Sequence, residues 1–481
     1  MNSSTSLLSF AILCTALPSQ LLHAGIVTTA ADSGSGSLRA AISAAASGET
    51  ITFAPGLNGA TITLTSGELA ISGLQLSIDA SALSKPMKIS GNTSSRIFNI
   101  SGNASVALNS LEILAGRSFN GNGGGISALQ SHLDCVNVTV RNCTSANDGG
   151  GLWANNVTGT LNRCSVLGND SQGYGGGVFL IGGNSPTLQN TVISGNRSAV
   201  GGGIASLLAS PIVTNCTIQG NSGVGIQLEF SASPILRNTI VWGNRSGDGS
   251  IYSQQIRYGN SSTALANLDY CLVEGLAGTL NNLNGTLAAN NPKFVGPLTP
   301  TSSATQPSAI ADLRVFTNSP VLDVGNNNSN STLGDRAGRA RIQNTTIDLG
   351  AFESGYVTFA YLHPSLSPSG DSNGNGLSNF LEYATGIDPT APGNSSVRPQ
   401  LSRSGGFYFL TSSQRSNAAD TTVIWQTSTT LAPSSWQELL LGINYTIDSV
   451  SYPTPSRQQI VMKLLDAANR RFYRQSITSG N

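Results

Sequence analysis

Four glycine triplets recur along the middle of the chain at a constant interval of 26 residues. They read NGGGIS, DGGGLW, YGGGVF and VGGGIA, and their first glycines are Gly123, Gly149, Gly175 and Gly201. A repeat of 20–50 residues indicates a solenoid, a propeller or an array of small units. The content of one unit decides among these.

A second repeated signature, an asparagine that ends a short apolar run, precedes most triplets. These asparagines are Asn142, Asn169, Asn196, Asn221 and Asn244. Each unit holds two or three short β-branched runs separated by turn residues, and none holds a stretch with helical periodicity. A propeller blade needs four strands and about 40 residues. The pattern therefore predicts an all-β fold, a parallel β-helix in which residues 50–350 form roughly twelve rungs stacked at about 4.8 Å.

Composition excludes some functions. Charged residues are 10% of the chain, with Lys plus Arg and Asp plus Glu at 24 each. Without a basic block, no nucleic-acid partner is expected. The first 24 residues, with an apolar run from Leu7 to Leu17, predict a secretory signal peptide, with a buried first helix as the alternative. No other segment is apolar for long enough to span a membrane as a helix.

Three stretches and the repeated pairs carry a resemblance to known families. The stretch SLRAAISAAASGETITFAPGLNGATITLTSGELAISGLQLSIDAS (37–81) resembles the leader of secreted bacterial right-handed parallel β-helix proteins, which have a pectate-lyase-like fold. SPVLDVGN (319–326) and IDLGAFE (347–353) resemble their closing segment. The GGG[ILV] and GN pairs are similar to the repeats of polymorphic outer-membrane proteins, with GGG in place of GGA. The resemblance implies a secreted or cell-surface protein.

Stacking of rungs predicts columns of equivalent residues. The residue after each triplet should point inward and the next one outward, which would place Trp153 and Phe179 on the outer face, one rung apart. Two such aromatic rings could hold a sugar, or form a patch that a loop or partner covers. Asp170 over Arg197 predicts a surface ion pair, with an acid/base pair acting on a saccharide as the alternative.

The asparagines and cysteines form further predicted columns. Stacked asparagine amides favour a structural hydrogen-bonded ladder over ligation of a metal or sugar. Cys164 and Cys216 would lie two rungs apart, about 9–10 Å, too far for a disulfide. With an odd number of cysteines after the signal peptide, buried free thiols are expected.

Catalytic machinery is not recognisable in the sequence, so no catalytic residue is predicted. A glycoside hydrolase usually needs two carboxylates flanking the scissile bond. The acids between 121 and 275 do not recur in one column, and His132 and His363 lie apart from any acid cluster in the sequence. We therefore expect an adhesin-like, structural or carbohydrate-binding protein whose partners are extracellular polysaccharide or cell-surface components. The alternative is a polysaccharide lyase or glycoside hydrolase acting on the β-helix face.

DSNGNGLSNFLE (371–382) matches the pattern of an EF-hand calcium loop. The predicted calcium ligands are Asp371, Asn373, Asn375, the Leu377 carbonyl, Asn379 and Glu382. A plain turn that caps the following helix is the alternative. The expected organisation is a signal peptide (1–24), an N-terminal cap with the first rungs (25–120), regular repeats (121–275), the last rungs and closing segment (276–355), a linker with the calcium loop (356–397) and a C-terminal β module of sorting or sugar-binding type (398–481).

Overall fold

Short strands between Gly25 and Val273 wind into a parallel β-helix of about nine turns. The computed structural model describes residues 25–246, 250–259, 266–279, 281–300, 311–343, 345–353, 359–363, 365–391, 399–404, 407–415, 418, 421–428, 437–439, 445–454, 457–465 and 472–479. The expected signal peptide lies outside the described residues.

Each complete turn contributes one strand to each of three long parallel sheets. Sheet 1 has ten strands: Gly25–Val27, Glu49–Phe53, Gln75–Asp79, Ser105–Asn109, His132–Val136, Thr158–Asn162, Thr187–Gln189, Ile212–Thr214, Ile235–Arg237 and Asn267–Asp269. Sheet 2 has nine: Thr61–Thr63, Met87–Ser90, Leu111–Leu114, Thr139–Arg141, Ser165–Leu167, Val192–Ser194, Thr217–Gln219, Ile240–Trp242 and Leu272–Val273. Sheet 3 has eight: Leu69–Ser72, Phe98–Ser101, Ile126–Leu129, Leu152–Asn155, Val178–Ile181, Ile204–Leu207, Ile226–Glu229 and Ile256–Tyr258. A narrow three-stranded ladder joins Arg117–Ser118, Thr144–Ser145 and Asp170–Ser171.

The inward columns predicted from the triplets are confirmed. The residues that follow the glycines pair in register from rung to rung, and none is more than 2% exposed: Ile126, Leu152, Val178, Ile204 and Ile226. They belong to one continuous apolar core that runs from Val27 to Val273. Both the upper and the lower side of every rung expose backbone and apolar groups, so a turn is stable only when it packs on the turns above and below it.

A short helix, Leu38–Ala44, packs on the first turn. The Ser37 side chain caps it by accepting a hydrogen bond from the backbone N–H of Ala40. Leu38 and Ile42 are buried in the same core as the rungs. The helix therefore covers apolar side chains at the N-terminal end of the β-helix, which would otherwise be an open edge.

The described parallel strands end at Val273, so the β-helix has about nine turns instead of the roughly twelve expected for residues 50–350. The segment after Val273 packs against the outer face of sheet 2, where Val192 and Ile240 form an apolar cluster with Leu313 and Leu349. A side chain that points out of a rung can be buried only by chain laid against the side of the rod. The closing segment therefore covers sheet 2 and does not lengthen it.

Between the strands of the rungs, and between the rungs and the C-terminal strands, the described elements are short. Phe294–Gly296 and Asp312–Val315 form an antiparallel pair. Helices occupy Ile251–Gln255, Phe359–Leu362 and Asn379–Ala384, and single 3-10 turns occupy Pro55–Leu57, Ala288–Asn290 and Asn327–Ser329.

The C-terminal residues form two small antiparallel sheets, which agrees with the expected β domain. One contains Gln400–Ser404, Phe407–Arg415, Arg457–Leu464 and Tyr445–Thr454. The other contains Gln437–Glu438, Thr421–Ser428 and Phe472–Ser479.

Candidate functional site

The glycine triplets combine a bend with close backbone contact. The first glycine of each has a positive φ, of 67°, 64°, 64° and 75° at Gly123, Gly149, Gly175 and Gly201. The second and third glycines leave room for the neighbouring rung. A Cβ on Gly176 would lie 2.3 Å from the Arg197 carbonyl oxygen, and one on Gly177 would lie 2.7 Å from that of Gly203. The triplets are therefore structural corners and not ligand loops.

The outward aromatic residues pair in register but do not form an exposed pair. Trp153 lies directly beside Phe179 on sheet 3. Phe179 is only 2% exposed, because the Tyr174 ring stacks on it with centroids 5.4 Å apart and planes 20° apart. Trp153 is half-buried. Of these two predicted sugar-binding rings, Trp153 alone keeps an accessible surface.

Asp170 and Arg197 form the expected ion pair between neighbouring rungs. Arg197 Nη2 donates to Asp170 Oδ2, and the two side chains are 32% and 22% exposed. A guanidinium stays protonated at all pH values relevant to proteins, so it cannot exchange a proton as an acid or base. The pair is best understood as a link between rungs.

The asparagine ladder is present and buried. From Asn196 onward, each amide oxygen accepts two hydrogen bonds from the preceding asparagine, through its backbone N–H and its Nδ2. Each Nδ2 of the column also donates to a backbone carbonyl. The ladder members are Asn169, Asn196, Asn221 and Asn244, all 0% exposed. Gln255 ends the column, since its Oε1 accepts from Asn244 N and Nδ2 at 3.2 and 2.7 Å. The column is structural, because its amides bond within the protein.

Asn142 does not belong to this ladder, although the repeat pattern of the sequence grouped it with the other asparagines. The strand register places it beside Gly168, and Cys143 takes the ladder position, its N–H donating to Asn169 Oδ1. Asn142 has a φ of 53° and Gly168 a φ of 59°. In each GN pair, the glycine is thus the residue with the left-handed backbone. Asn142 occupies the position of this glycine in its own rung, because asparagine tolerates the left-handed conformation.

The cysteines are buried free thiols, as expected, within the described residues: Cys135, Cys143, Cys164, Cys216 and Cys271. Burial raises the thiol pKa to about 12 at Cys143 and Cys216 and to about 11 at Cys164. A thiol with such a pKa carries almost no thiolate at neutral pH, so these residues are not nucleophiles.

An open polar groove lies at the turns that connect sheet 3 to sheet 1. Its volume is about 540 Å³, and seven polar side chains line it: Asn103, Gln130, Ser131, His132, Asn156, Thr158 and Asn184. They come from four successive rungs, so the groove runs along the rod for about 14 Å. Most of these side chains are exposed or half-exposed.

The groove is built on a column of left-handed turn residues. Gln130 and Asn156 have φ values of 47° and 51°, and Gly102 and Gly182 occupy the same position in the rungs on either side, with φ values of 67° and 94°. The sharp turn directs the polar side chains to the surface, while Val157, next to Asn156, remains buried. The sequence analysis missed this site because its members share a position and not a residue type.

One imidazole–carboxylate pair lies at the edge of the groove, which His132 lines. His132 Nε2 is 2.9 Å from Asp134 Oδ2, and His132 Nδ1 is 2.9 Å from Thr158 Oγ1. The backbone N–H of Thr160 donates to the other Asp134 oxygen at 2.9 Å. The sequence analysis placed His132 apart from any acid cluster. The spacing of two residues within one strand, which puts both side chains on the same face, was the available signal.

The predicted calcium loop surrounds a buried carboxylate. Glu382 is 0% exposed, and its Oε2 has no hydrogen-bond partner. Its Oε1 accepts from Nδ2 of Asn373 and Asn375 at 2.9 and 2.7 Å. Asp371 lies at the loop entry and accepts from the backbone N–H groups of Asn375 and Gly376. The loop therefore directs two amide side chains at one carboxylate.

Asn379 does not face this carboxylate in the structure. Its Oδ1 accepts from the Ser372 N–H at 2.9 Å, and its Nδ2 donates to the Ser367 carbonyl at 2.8 Å. The Asn379 amide therefore holds the loop ends together. Among the described residues, no three His, Cys, Asp or Glu side chains form a group able to hold a metal ion, so a site here depends on amide and carbonyl oxygens.

The match to a family model agrees with the fold. Residues 150–294 match the family model described as the right handed beta helix region. A crystal structure of pectate lyase Pel9A is similar over 66% of this chain and 91% of that chain, with 14% identity and a TM-score of 0.32. A search of curated proteins found no match. Within the described part of the chain, no helix is long and apolar enough to cross a membrane. The rungs between Gly25 and Val273 are thus a right-handed parallel β-helix.

Proposed function

We propose that this chain is a secreted or cell-surface β-helix protein that binds extracellular polysaccharide in an adhesin-like or structural role. The groove at the turns between sheet 3 and sheet 1 carries the proposal, because its seven lining side chains are all polar and span four rungs. The apolar run at the N-terminus and the family resemblance support export.

The lining chemistry suits sugar hydroxyls. An amide side chain offers a donor and an acceptor side by side, and a hydroxyl group is itself both donor and acceptor. Asn103, Gln130, Asn156 and Asn184 supply four such amides around the groove. The rod repeats at about 4.8 Å, so a linear polymer lying along it meets an equivalent turn at each rung. Trp153 is kept as a further candidate contact, whereas Phe179, Asp170 and Arg197 have the structural partners described above.

A glycan array with the full chain tests this proposal. We expect binding to at least one polysaccharide, and loss of that binding in the variant Gln130→Gly/Asn156→Gly. Glycine is the replacement because both positions have a positive φ, which glycine adopts without strain. Asn137→Gly is the matched control, since Asn137 has a φ of 55° at a turn outside the groove lining. No binding to any polysaccharide would contradict the proposal.

A second candidate function is hydrolysis or elimination in the same groove, and the His132–Asp134 pair favours it. A carboxylate bonded to one ring nitrogen holds the imidazole in a fixed orientation. Formation of reducing ends or unsaturated sugars from a bound polysaccharide would support it, provided that His132→Gln abolishes turnover and keeps binding. A bound polymer that remains intact would leave the groove as a binding site.

We further propose that the loop 371–382 binds calcium as a structural ion. The buried Oε2 of Glu382 without a partner is the supporting observation, because an isolated carboxylate oxygen is costly to bury. Rotation of the Asn373 and Asn375 amides by half a turn would point their oxygens at the position that the Nδ2 groups now occupy. Asp371 and the Leu377 carbonyl would complete the oxygen set, and Asn379 would hold the loop closed.

Calorimetric titration of calcium into the chelator-treated full chain tests the calcium proposal. With only two charged ligands, we expect a Kd of about 10⁻⁴–10⁻³ M. Glu382→Gln should abolish the binding heat, and Glu49→Gln, which alters a carboxylate in the second strand of sheet 1, should not. Absence of heat at millimolar calcium in the unaltered chain would overturn the proposal.

A further inference from the structure

The groove has a charge character that selects among polysaccharides. Its seven lining residues include no Lys or Arg, within the part of the chain that the structure describes. Carboxylate-bearing sugars are held in proteins by cationic side chains, above all by the bidentate fork of arginine. This groove offers a uronate no such partner.

The charged group beside the groove does not attract a uronate. Asp134 lies against His132, and the two side chains are 44% and 43% exposed. The pair has a net charge of zero when the imidazole is protonated and of minus one when it is neutral. In neither state does it present a net positive charge to a ligand.

The amides reinforce this selectivity. A carboxylate only accepts hydrogen bonds, so it can use the Nδ2 and Nε2 groups of the lining but is repelled by the neighbouring Oδ1 and Oε1 atoms. A hydroxyl uses both atoms of each amide. Resting on the polysaccharide binding proposed above, we infer that the groove takes uncharged polysaccharide chains and discriminates against polyuronates.

The discriminating experiment compares ligands that differ only in charge. Several polyuronates, each beside its carboxyl-reduced counterpart, and a panel of neutral polysaccharides are titrated against the full chain by affinity electrophoresis. We expect a neutral or carboxyl-reduced polymer to bind at least about tenfold more tightly than any native polyuronate. The binding should be insensitive to added salt, because an uncharged ligand has no charge to screen.

The outcomes separate this inference from the proposed function. Tighter binding of a native polyuronate than of its reduced form, lost in Gln130→Gly/Asn156→Gly, would overturn the inference and keep the polysaccharide-binding proposal. Binding that survives in this variant would place the ligand outside the groove and overturn the inference too. Binding of no polymer would overturn both. Selective binding of uncharged polymers that the groove variant loses, and that Asn137→Gly keeps, would support the inference.

Discussion

The β-helix uses asparagine in two columns with opposite results. In the ladder, Asn196 is 0% exposed, accepts hydrogen bonds from Asn169 and donates to Asn221 and to the Val166 carbonyl. In the groove, Asn156 is half-exposed, and its recorded partners are one neighbouring side chain and one N–H of the next rung. The same amide therefore supports the fold where it is buried and saturated, and remains available to a ligand where the turn directs it outward.

The largest expected difference between the two columns is in stability. Asn196→Ala removes four buried hydrogen bonds. The backbone N–H of Asn169 loses its acceptor, and Asn169 Nδ2, Asn221 Oδ1 and the Val166 carbonyl each lose one partner. We expect the free energy of unfolding to fall by more than about 4 kcal/mol, because each unsatisfied buried polar group costs about 1–3 kcal/mol. Urea denaturation followed by circular dichroism measures it. If the free energy of unfolding fell by no more than it does in the groove variant Asn156→Gly, described below, the distinction between the two columns would be wrong.

A second variant tests whether the third glycine of the triplet exists to make room for the ladder. A Cβ on Gly177 would lie 2.7 Å from the Gly203 carbonyl oxygen and 3.0 Å from the Asn196 amide. We expect Gly177→Ala to cost about 1–3 kcal/mol through overpacking. Gly183→Ala, at the groove, should be near neutral, since no atom lies within 4 Å of its added Cβ. The double variant Gly177→Ala/Asn196→Ala should lose less stability than the sum of the losses of the two single variants.

The pH dependence of stability should come from outside the amide ladder, which is uncharged. In the closing segment, burial and the neighbouring Asp348 raise the pKa of Glu353 to about 8. The folded state therefore keeps a proton that the unfolded state, with an ordinary value of 4.5, releases. The stabilisation is complete below pH 4.5 and is lost as the pH rises towards 8, so the Tm should fall across this window.

Glu353→Gln checks this assignment. The amide cannot ionise, so the slope of Tm against pH between 5 and 8 should flatten. Asn196→Ala should keep the slope of the unaltered chain while lowering the Tm at every pH. An unchanged slope in Glu353→Gln would show that another group governs the titration.

The smallest expected effect on stability belongs to the groove. Asn156→Gly removes a half-exposed amide at a position where glycine occurs naturally in the next rung, at Gly182. We expect the free energy of unfolding to change by less than about 0.5 kcal/mol. Polysaccharide binding, measured on the same preparation, should weaken strongly. A large loss of stability would mean that this amide belongs with the ladder.

The parts of the fold that were predictable from sequence repeat with the rung. The triplet period placed Ile126, Leu152 and Val178 in one inward column, and the structure confirms that register. The asparagine column was correct from Asn169 onward. It failed at Asn142, because asparagine is common both at buried ladder positions and at left-handed turns, and sequence alone does not separate the two.

The site was less predictable than the fold. The exposure of Phe179 depends on Tyr174, whose ring reaches it from the turn before the triplet. The groove depends on turn residues of different chemistry whose only common property is position. The pair of His132 and Asp134 was predictable, because residues two apart on one strand face the same side and this spacing is visible in the sequence.

The sequence by itself determined the solenoid, its repeat and its inward columns, because a period of one rung stacks like residues on like residues. The tertiary structure alone decided how many turns form, which outward side chains become covered and where polar groups converge. The burial of the outer face of sheet 2, for example, depends on the closing segment, whose Leu313 and Leu349 pack laterally on Val192 and Ile240. Contacts between residues so distant in the chain do not recur with the repeat. The burial of each outward face is therefore a property of the folded molecule and not of the sequence period.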